Sequence, residues 1–131
     1  MANVGIVLIS HSVQIASGVK ELIQQVIQEV PIELAAGTED GRIGTTIEKI
    51  SSAIDAANKG DGVLLFYDLG SAKMNAEVVL EMLDDDQIVI AEAPIVEGSY
   101  IAAVEASMGK TLEEILETLW TGFPANDNNM K

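Results

Sequence analysis

The sequence contains no cysteine, a single histidine and only seven basic side chains among its 131 residues. Without cysteine the chain forms no disulfide, no thiolate zinc site and no cysteine nucleophile, a composition that fits a cytoplasmic protein. The 21 acidic residues outnumber the basic ones and give a formal net charge of −14. This charge argues against binding to nucleic acid or to an anionic membrane surface, and favours a cation or a basic protein face as a partner.

Long hydrophobic runs are absent as well. No apolar segment is long enough to span a membrane, and no basic segment precedes the first apolar run as it would in a signal peptide. Hydrophobic residues still make up 48% of the sequence, which is enough for one compact domain with a buried core. We predict a domain over residues 1–121 and a flexible tail over residues 122–131.

Short apolar runs rich in β-branched residues alternate with segments of helical periodicity. The apolar runs predict four buried strands, at residues 4–9, 32–36, 63–67 and 87–93. Apolar residues then recur at helical spacing after every strand, and a fifth amphipathic segment lies near the carboxyl end. The segment after the third strand is interpreted as a helix whose apolar stripe consists of Met74, Val78, Val79 and Met82.

Three local signals predict helix boundaries. The first helical pattern continues to Val30 and stops at Pro31, because the residue before a proline disfavours the helical conformation. A capping-box pattern from Thr45 to Glu48 is expected to open the second helix. The same pattern from Thr111 to Glu114 is expected to open the last one.

Alternating strands and helices predict the fold class, a small doubly wound α/β domain. Right-handed crossovers give a mainly parallel four-stranded sheet with helices on both faces, and we predict the strand order 2-1-3-4 for it. Ligands of such folds bind beyond the carboxyl ends of the strands, where the strand order reverses. His11 follows strand one and Asp68 follows strand three. The topology therefore places the imidazole beside the carboxylate.

A histidine paired with an aspartate has a definite chemistry. The carboxylate accepts the Nδ1 proton, which fixes the tautomer and leaves the lone pair of Nε2 free as a nucleophile or base. A structural ion pair on a loop is an equally weighted reading of the spacing alone. A metal site is disfavoured, since one histidine and scattered carboxylates hold divalent cations weakly.

Other site classes fit the sequence less well. Serines flank the pair, but no strand is followed by the G-x-S-x-G elbow of serine hydrolases. A receiver domain with Asp68 as phosphoryl acceptor needs acidic metal ligands after strand one, where the sequence reads "SHS". Flavin binding needs a loop of small residues at the same place, and a bulky "VQI" stands there.

Three segments carry a family resemblance: "VLISHSVQIASGV", "GTEDGRIGTT" and "FYDLGSAKMNAE". They resemble the DhaM family, the phosphotransfer subunits of phosphoenolpyruvate-dependent dihydroxyacetone kinases, whose domain is similar to the mannose-type IIA domain of the sugar phosphotransferase system. The resemblance implies a phosphotransferase with a phosphohistidine intermediate and no cofactor. It implies a phosphoryl group received from HPr and passed to ADP on the DhaL subunit, so that DhaK, which holds dihydroxyacetone, is served indirectly. A homodimer is also implied.

The resemblance assigns roles to particular residues. His11 matches the phosphorylated histidine, through Nε2, and Asp68 matches the carboxylate that orients it. The other residues expected to contact the phosphoryl group or a partner lie at the starts of two helices and in the loop after strand two: Ser12, Val13, Gly41, Arg42, Gly70 and Ser71. Arg42 is the only arginine, and its expected role is charge stabilisation or partner contact, with an exposed solubilising charge as the alternative.

Two alternative functions stay open at this stage. One is a mannose-type IIA domain of sugar transport, which "DLGSAKMN" matches less well than the dihydroxyacetone type. The other is a non-catalytic regulatory or adaptor domain that binds a phosphorylated or basic partner. Some members of the family carry further domains behind the first, and residues 111–120 are predicted to be helical where mannose-type relatives have a strand. We therefore expect HPr to be a separate polypeptide and leave the dimer surface unassigned.

Overall fold

The computed structural model describes residues 3–124, which form a four-stranded sheet covered by five helices. All strand pairs are parallel and the order is β2-β1-β3-β4, as predicted. The strands are β1 (Gly5–Ser10), β2 (Ile32–Ala36), β3 (Val63–Tyr67) and β4 (Ile88–Ile90). The helices are α1 (Val13–Gln24), α2 (Ile47–Ala57), α3 (Gly70–Leu83), α4 (Ile95–Ser107) and α5 (Leu112–Gly122).

The sheet is buried on both faces, which explains its continuous apolar strands. Successive side chains of a strand point to opposite faces, so Ile6 and Leu8 join one core and Val7 and Ile9 join the other. Helices α1, α4 and α5 cover the first face, and α2 and α3 cover the second. The doubly wound α/β prediction is confirmed. The carboxyl ends of β1 and β3 consequently lie side by side, with Ile9 paired to Tyr67.

Helix α1 is shorter than its sequence pattern. It ends at Gln24, although the apolar periodicity continues to Val30. The last part of the pattern is rich in β-branched residues, which favour helix weakly. There, Ile27 and Val30 reach the core from the irregular segment between α1 and β2. Strand β4 is also shorter than predicted, because the chain bends after Ile90.

The second helix begins one residue later than the capping box predicted. Thr46, and not Thr45, is the N-cap of α2, and its hydroxyl accepts a hydrogen bond from the amide of Lys49. The hydroxyl of Thr45 instead accepts a hydrogen bond from the side-chain amide of Asn75 at 2.6 Å. Thr45 and Thr46 have the same side chain, so the backbone conformation and not the residue type decides which of them is the N-cap. The capping box of Thr111 at the start of α5 is confirmed.

The buried face of α3 differs from the predicted one. Met74, Val78 and Met82 are exposed. The face that packs on the sheet is made of small residues and one valine: Ala72, Ala76 and Val79. Both stripes have helical spacing, and the small side chains allow the closer approach of helix and sheet. Val79 is buried as predicted, but the hydrophobicity of the side chains favoured Met74, Val78 and Met82 over the alanines that pack beside it.

The end of the domain includes residues that were predicted to belong to a tail. Gly122 is the last residue of α5, and Phe123 packs partly against the core beneath that helix. The predicted tail otherwise falls on residues 125–131, which lie outside the described residues.

We predict that Gly5→Ala destabilises the fold. A Cβ atom at Gly5 would lie 2.2 Å from the carbonyl oxygen of Ala57, where the end of α2 crosses the start of β1. Relieving this overlap requires the helix to shift, which we expect to lower the free energy of unfolding by about 2 kcal/mol. Chemical denaturation measures the change.

Gly18→Ala is the matched control. Gly18 lies in α1 with nothing within 4 Å of an added Cβ atom, so alanine is expected to stabilise the protein by about 0.5–1 kcal/mol. Equal effects of the two substitutions would show that the close approach of α2 to β1 does not limit residue 5.

Candidate active site

The parallel sheet brings His11 and Asp68 together at the reversal of strand order. His11 follows β1, Asp68 follows β3, and the imidazole Nδ1 lies 3.0 Å from the carboxylate Oδ1. The side chains are 20% and 13% exposed, so the pair lies at the surface of the site and not within the core. A second, backbone contact ties the same residues, since the amide of His11 donates to Oδ2 of Asp68 at 2.9 Å.

Four donors surround the carboxylate of Asp68. Oδ1 accepts from the His11 ring and from the Leu69 amide at 2.7 Å, and Oδ2 accepts from the His11 amide and from the Ser10 hydroxyl at 2.9 Å. Partial burial alone would raise the pKa of Asp68, but the hydrogen bonds from His11, Ser10 and Leu69 outweigh it and hold this pKa below its ordinary value. The group is therefore an ionised carboxylate at neutral pH.

The ionised carboxylate determines the tautomer of His11. A carboxylate only accepts hydrogen bonds, so the ring nitrogen that faces it must carry the proton. In the neutral ring Nε2 is then unprotonated, and its lone pair accepts a hydrogen bond from the hydroxyl of Ser71 at 2.7 Å. Ser71 is exposed at the start of α3. Nε2 thus faces the side of the site where the exposed Ser71 lies, and its lone pair is available when the Ser71 hydroxyl rotates away.

Two helices begin at the same rim. Ser12 is the N-cap of α1 and accepts a hydrogen bond from the Ile15 amide, and Val13 is the first helical residue. Gly70 is the first residue of α3, whose N-terminus has no side-chain cap. The first amides of a helix have no partner inside it and carry a partial positive charge. Both helix starts therefore offer a favourable field to a negatively charged group bonded to His11.

The loop over residues 37–44 is anchored to the residues that precede α1. The amide of Gly37 donates to the carbonyl of Ser10 at 3.2 Å, and the amide of Gly44 donates to the carbonyl of His11 at 2.8 Å. The ammonium group of Lys49 binds the carbonyls of Ala36 and Thr38 at 3.0 and 3.2 Å, which holds the near end of the loop. Residues 37–44 thus form a wall beside the imidazole.

Arg42 and Gly41 also lie in this loop, and the side chain of Arg42 binds Asp40 and not the imidazole. The guanidinium of Arg42 is 82% exposed and pairs with Asp40 at 2.8 Å. Hydrogen bonds from Thr38 and Arg42 lower the pKa of Asp40. Gly41 has a φ of 83°, a left-handed conformation that suits glycine, where the loop turns back. Arg42 therefore forms an exposed ion pair with Asp40.

A cleft of about 1040 Å³ adjoins Asp68 on the other side, at the ends of β3 and β4. Its floor carries a chain of contacts in which the Tyr67 hydroxyl donates to Glu92 at 2.8 Å and Lys73 pairs with Glu92 at 2.7 Å. Burial and the neighbouring carboxylate raise the pKa of Tyr67, and the hydrogen bond to Glu92 raises the pKa of Lys73. Lys73 is thus a cation near the site whose charge is balanced by Glu92.

The structure brings some predicted residues together and separates others. His11, Asp68 and Ser71 are in direct contact, with Ser12, Val13 and Gly70 beside them. Gly41 and Arg42 share only the wall formed by residues 37–44. Sequence reasoning overlooked Ser10 and Lys49 as supports of the site. A serine at the end of a buried strand, directly before the key histidine, was the available signal for Ser10.

Among residues 3–124, no group of three or more histidine, aspartate or glutamate side chains is arranged to hold an ion. The acidic run of Asp84, Asp85 and Asp86 follows α3, and Asp84 takes a left-handed backbone conformation there.

A histidine held by an aspartate at the open rim of a parallel α/β sheet is the arrangement that the resemblance to IIA components of the phosphotransferase system implies. The chain belongs to the mannose-type IIA family, since the family model described as "PTS system fructose IIA component" matches residues 5–116.

Relatives within this class carry a more specific name. The chain is 45% identical over 117 residues to the phosphoryl donor subunit DhaM of PEP-dependent dihydroxyacetone kinase 1 of Listeria innocua, covering 89% of this chain and 93% of that protein. It is 43% identical to the phosphotransferase subunit DhaM of the PTS-dependent dihydroxyacetone kinase of Lactococcus lactis, covering 88% and 92%. The predicted resemblance to the DhaM family is confirmed.

Solved structures agree with the fold. The crystal structure of EF1359, described as a protein of unknown function, superimposes with a TM-score of 0.81 at 35% identity and covers 91% of this chain and 94% of that one.

Across the described part of the chain, every helix is too short or too polar to cross a bilayer.

We predict that Asp68 makes protein stability depend on pH. Its pKa is lower in the folded state than the ordinary value of 3.8, so its stabilisation is fully present above that value and is lost as the pH falls through the folded-state pKa. At neutral pH, Asp68→Asn should lower the free energy of unfolding by about 1–3 kcal/mol. Denaturant titrations at several pH values measure the difference, which should shrink in acid; a difference independent of pH would contradict the assignment.

Proposed function

We propose that the chain is a phosphohistidine carrier, which accepts a phosphoryl group from HPr and transfers it to ADP bound on the DhaL subunit of a dihydroxyacetone kinase. The observation that carries this proposal is the geometry of His11, whose Nδ1 is held by Asp68 while Nε2 faces the open rim. The names of the relatives, phosphoryl donor and phosphotransferase subunits, support the same role.

The accepting step uses the lone pair of Nε2. The Ser71 hydroxyl rotates away from the ring, Nε2 attacks phosphorus, and the bond between phosphorus and the donor breaks with its electron pair returning to the donor. Nδ1 keeps its proton throughout, so the phosphorylated ring carries a positive charge beside the Asp68 carboxylate. Catalysis here consists mainly of positioning and electrostatic stabilisation.

The phosphoryl oxygens then need donors at the rim. The freed Ser71 hydroxyl and the amides at the starts of α1 and α3 are the groups adjacent to Nε2. Helix N-termini stabilise the negative charge of the phosphoryl oxygens. In the second step a β-phosphate oxygen of ADP attacks phosphorus, the Nε2–P bond breaks, and its electron pair returns to Nε2.

Exchange between two partners requires an accessible site. A donor or acceptor atom must come within bonding reach of Nε2, so each protein has to cover the same rim in turn. The net charge of −14 favours partners that present a basic face, and raises the rate of encounter with them. The kinase subunit DhaK, which holds dihydroxyacetone, is reached only through the ATP formed on DhaL. Homodimer formation and a cytoplasmic location complete the proposal.

Incubation with phosphoenolpyruvate, enzyme I and HPr tests the first step. We expect intact-mass measurement to show one added phosphoryl group that is labile in acid, and none in His11→Ala, since no other histidine is present. Unfolding curves of the variant serve as the control for folding. An increment that persists in His11→Ala would refute the carrier mechanism, and no increment in the native protein would favour an adaptor domain.

Asp68→Asn tests the orientation of the ring. The asparagine amide can donate to Nδ1, which moves the ring proton to Nε2 and blocks its lone pair, so single-turnover transfer from phosphorylated HPr should slow by about 10²–10⁴-fold. Asp61→Asn is the matched control, because Asp61 is exposed before the other end of β3. Similar rates for the two variants would contradict the role of Asp68.

The acceptor is identified by mixing the phosphorylated protein with DhaL loaded with ADP. We expect ATP to form, and dihydroxyacetone phosphate to follow when DhaK and its substrate are added. Transfer to a sugar-transporter IIB domain in place of DhaL would assign the chain to sugar transport.

A further inference from the structure

Ser10 is a buried polar residue within the site that none of the assigned roles includes. It is the last residue of β1, directly before His11, and its side chain is inaccessible to solvent. Among the described residues only Ser99 shares this combination of full burial and a polar side chain. A buried hydroxyl is costly unless its hydrogen bonds are satisfied, so its partners show what it supports.

Both hydrogen bonds of the Ser10 hydroxyl are made to residues of the active site. Its hydroxyl donates to Oδ2 of Asp68 at 2.9 Å and accepts from the amide of Ser12 at 3.0 Å. The direction is unambiguous, since an ionised carboxylate accepts and an amide donates. Ser10 therefore connects the start of α1 to the group that orients His11.

The two oxygens of Asp68 have separate tasks. Oδ2 is held by Ser10 and by the backbone amide of His11, both from the end of β1. Together with the Leu69 amide, which donates to Oδ1 at 2.7 Å, these two bonds hold the carboxylate with Oδ1 3.0 Å from Nδ1 of His11. Removing the hydroxyl leaves Oδ2 with the His11 amide as its one donor, so the carboxylate is held less firmly on that side.

We propose that Ser10 is a positioning residue for phosphoryl transfer, because it fixes the rotation of the Asp68 carboxylate and thereby keeps the proton on Nδ1 and Nε2 free for phosphorus. This inference rests on the proposed function of His11. Ser10 touches neither the phosphoryl group nor a partner, and acts only through Asp68.

The test compares Ser10→Ala with Ser10→Thr, which keeps the hydroxyl. Because His11 is the only histidine, ¹⁵N NMR of the ring reports its tautomer without ambiguity. In Ser10→Ala the fraction protonated at Nδ1 should fall, and single-turnover transfer from phosphorylated HPr should slow by about 10- to 100-fold. Ser10→Thr should restore both.

A pH profile separates positioning from a structural role. The hydrogen bond from Ser10 lowers the pKa of Asp68, so its loss should move the acid limb of the transfer rate to higher pH. Ser99→Ala is the matched control: Ser99 is equally buried, but its hydroxyl donates to the carbonyl of Ile95 in α4. This variant should show the unaltered tautomer and acid limb, whatever its stability.

Several outcomes would overturn the inference. An unaltered rate, tautomer and acid limb in folded Ser10→Ala would do so, as would a slow Ser10→Ala whose tautomer and acid limb match those of Ser99→Ala. If Ser10→Ala does not fold, Ser10→Cys replaces it, because a thiol has similar size and is a weak donor. Failure of the native protein to accept a phosphoryl group would refute the proposed function. The His11 tautomer measured by NMR in each variant would still show whether Ser10 orients the Asp68 carboxylate.

Discussion

The carboxylate of Asp68 is the constraint on which the site depends. Its four hydrogen bonds come from two separate parts of the chain: Ser10 and His11 at the end of β1, and Leu69 at the start of the α3 turn. The same contacts that hold the two strand ends together keep the carboxylate ionised. An ionised acceptor in turn dictates which nitrogen of His11 is protonated. The hydrogen bonds of Asp68 therefore account for the contact between the two strand ends, for the lowered pKa of the carboxyl group and for the tautomer of His11.

The parallel topology makes this arrangement possible. Two strands that are adjacent and parallel end at the same edge, and each continues into a helix whose N-terminus starts there. A carboxylate, an imidazole and two fields of partial positive charge are thus collected in one place. The sheet beneath them is buried on both faces and provides rigid support. In the proposed carrier function, this support would present the Nε2 nitrogen to both partners in one fixed position.

Support for the site extends beyond the groups that touch the imidazole. The wall over residues 37–44 is anchored on the carbonyls of Ser10 and His11, and Lys49 holds its near end from α2. Ser10 takes part in both contacts, because its carbonyl accepts a hydrogen bond from Gly37 and its hydroxyl donates one to Asp68. The ion pair of Arg42 with Asp40 lies on the exposed side of this wall.

The amino-acid sequence by itself determined the alternation of strands and helices and the positions of His11 and Asp68 at strand ends. Hydrophobic runs and capping patterns are local, and parallel crossovers obey one handedness, so these features require no knowledge of contacts. Only the tertiary structure decided which of two threonines caps α2, which apolar stripe of α3 is buried, and that Ser10 completes the shell of Asp68. Each of these depends on what lies opposite a side chain in space, which spacing along one chain does not specify.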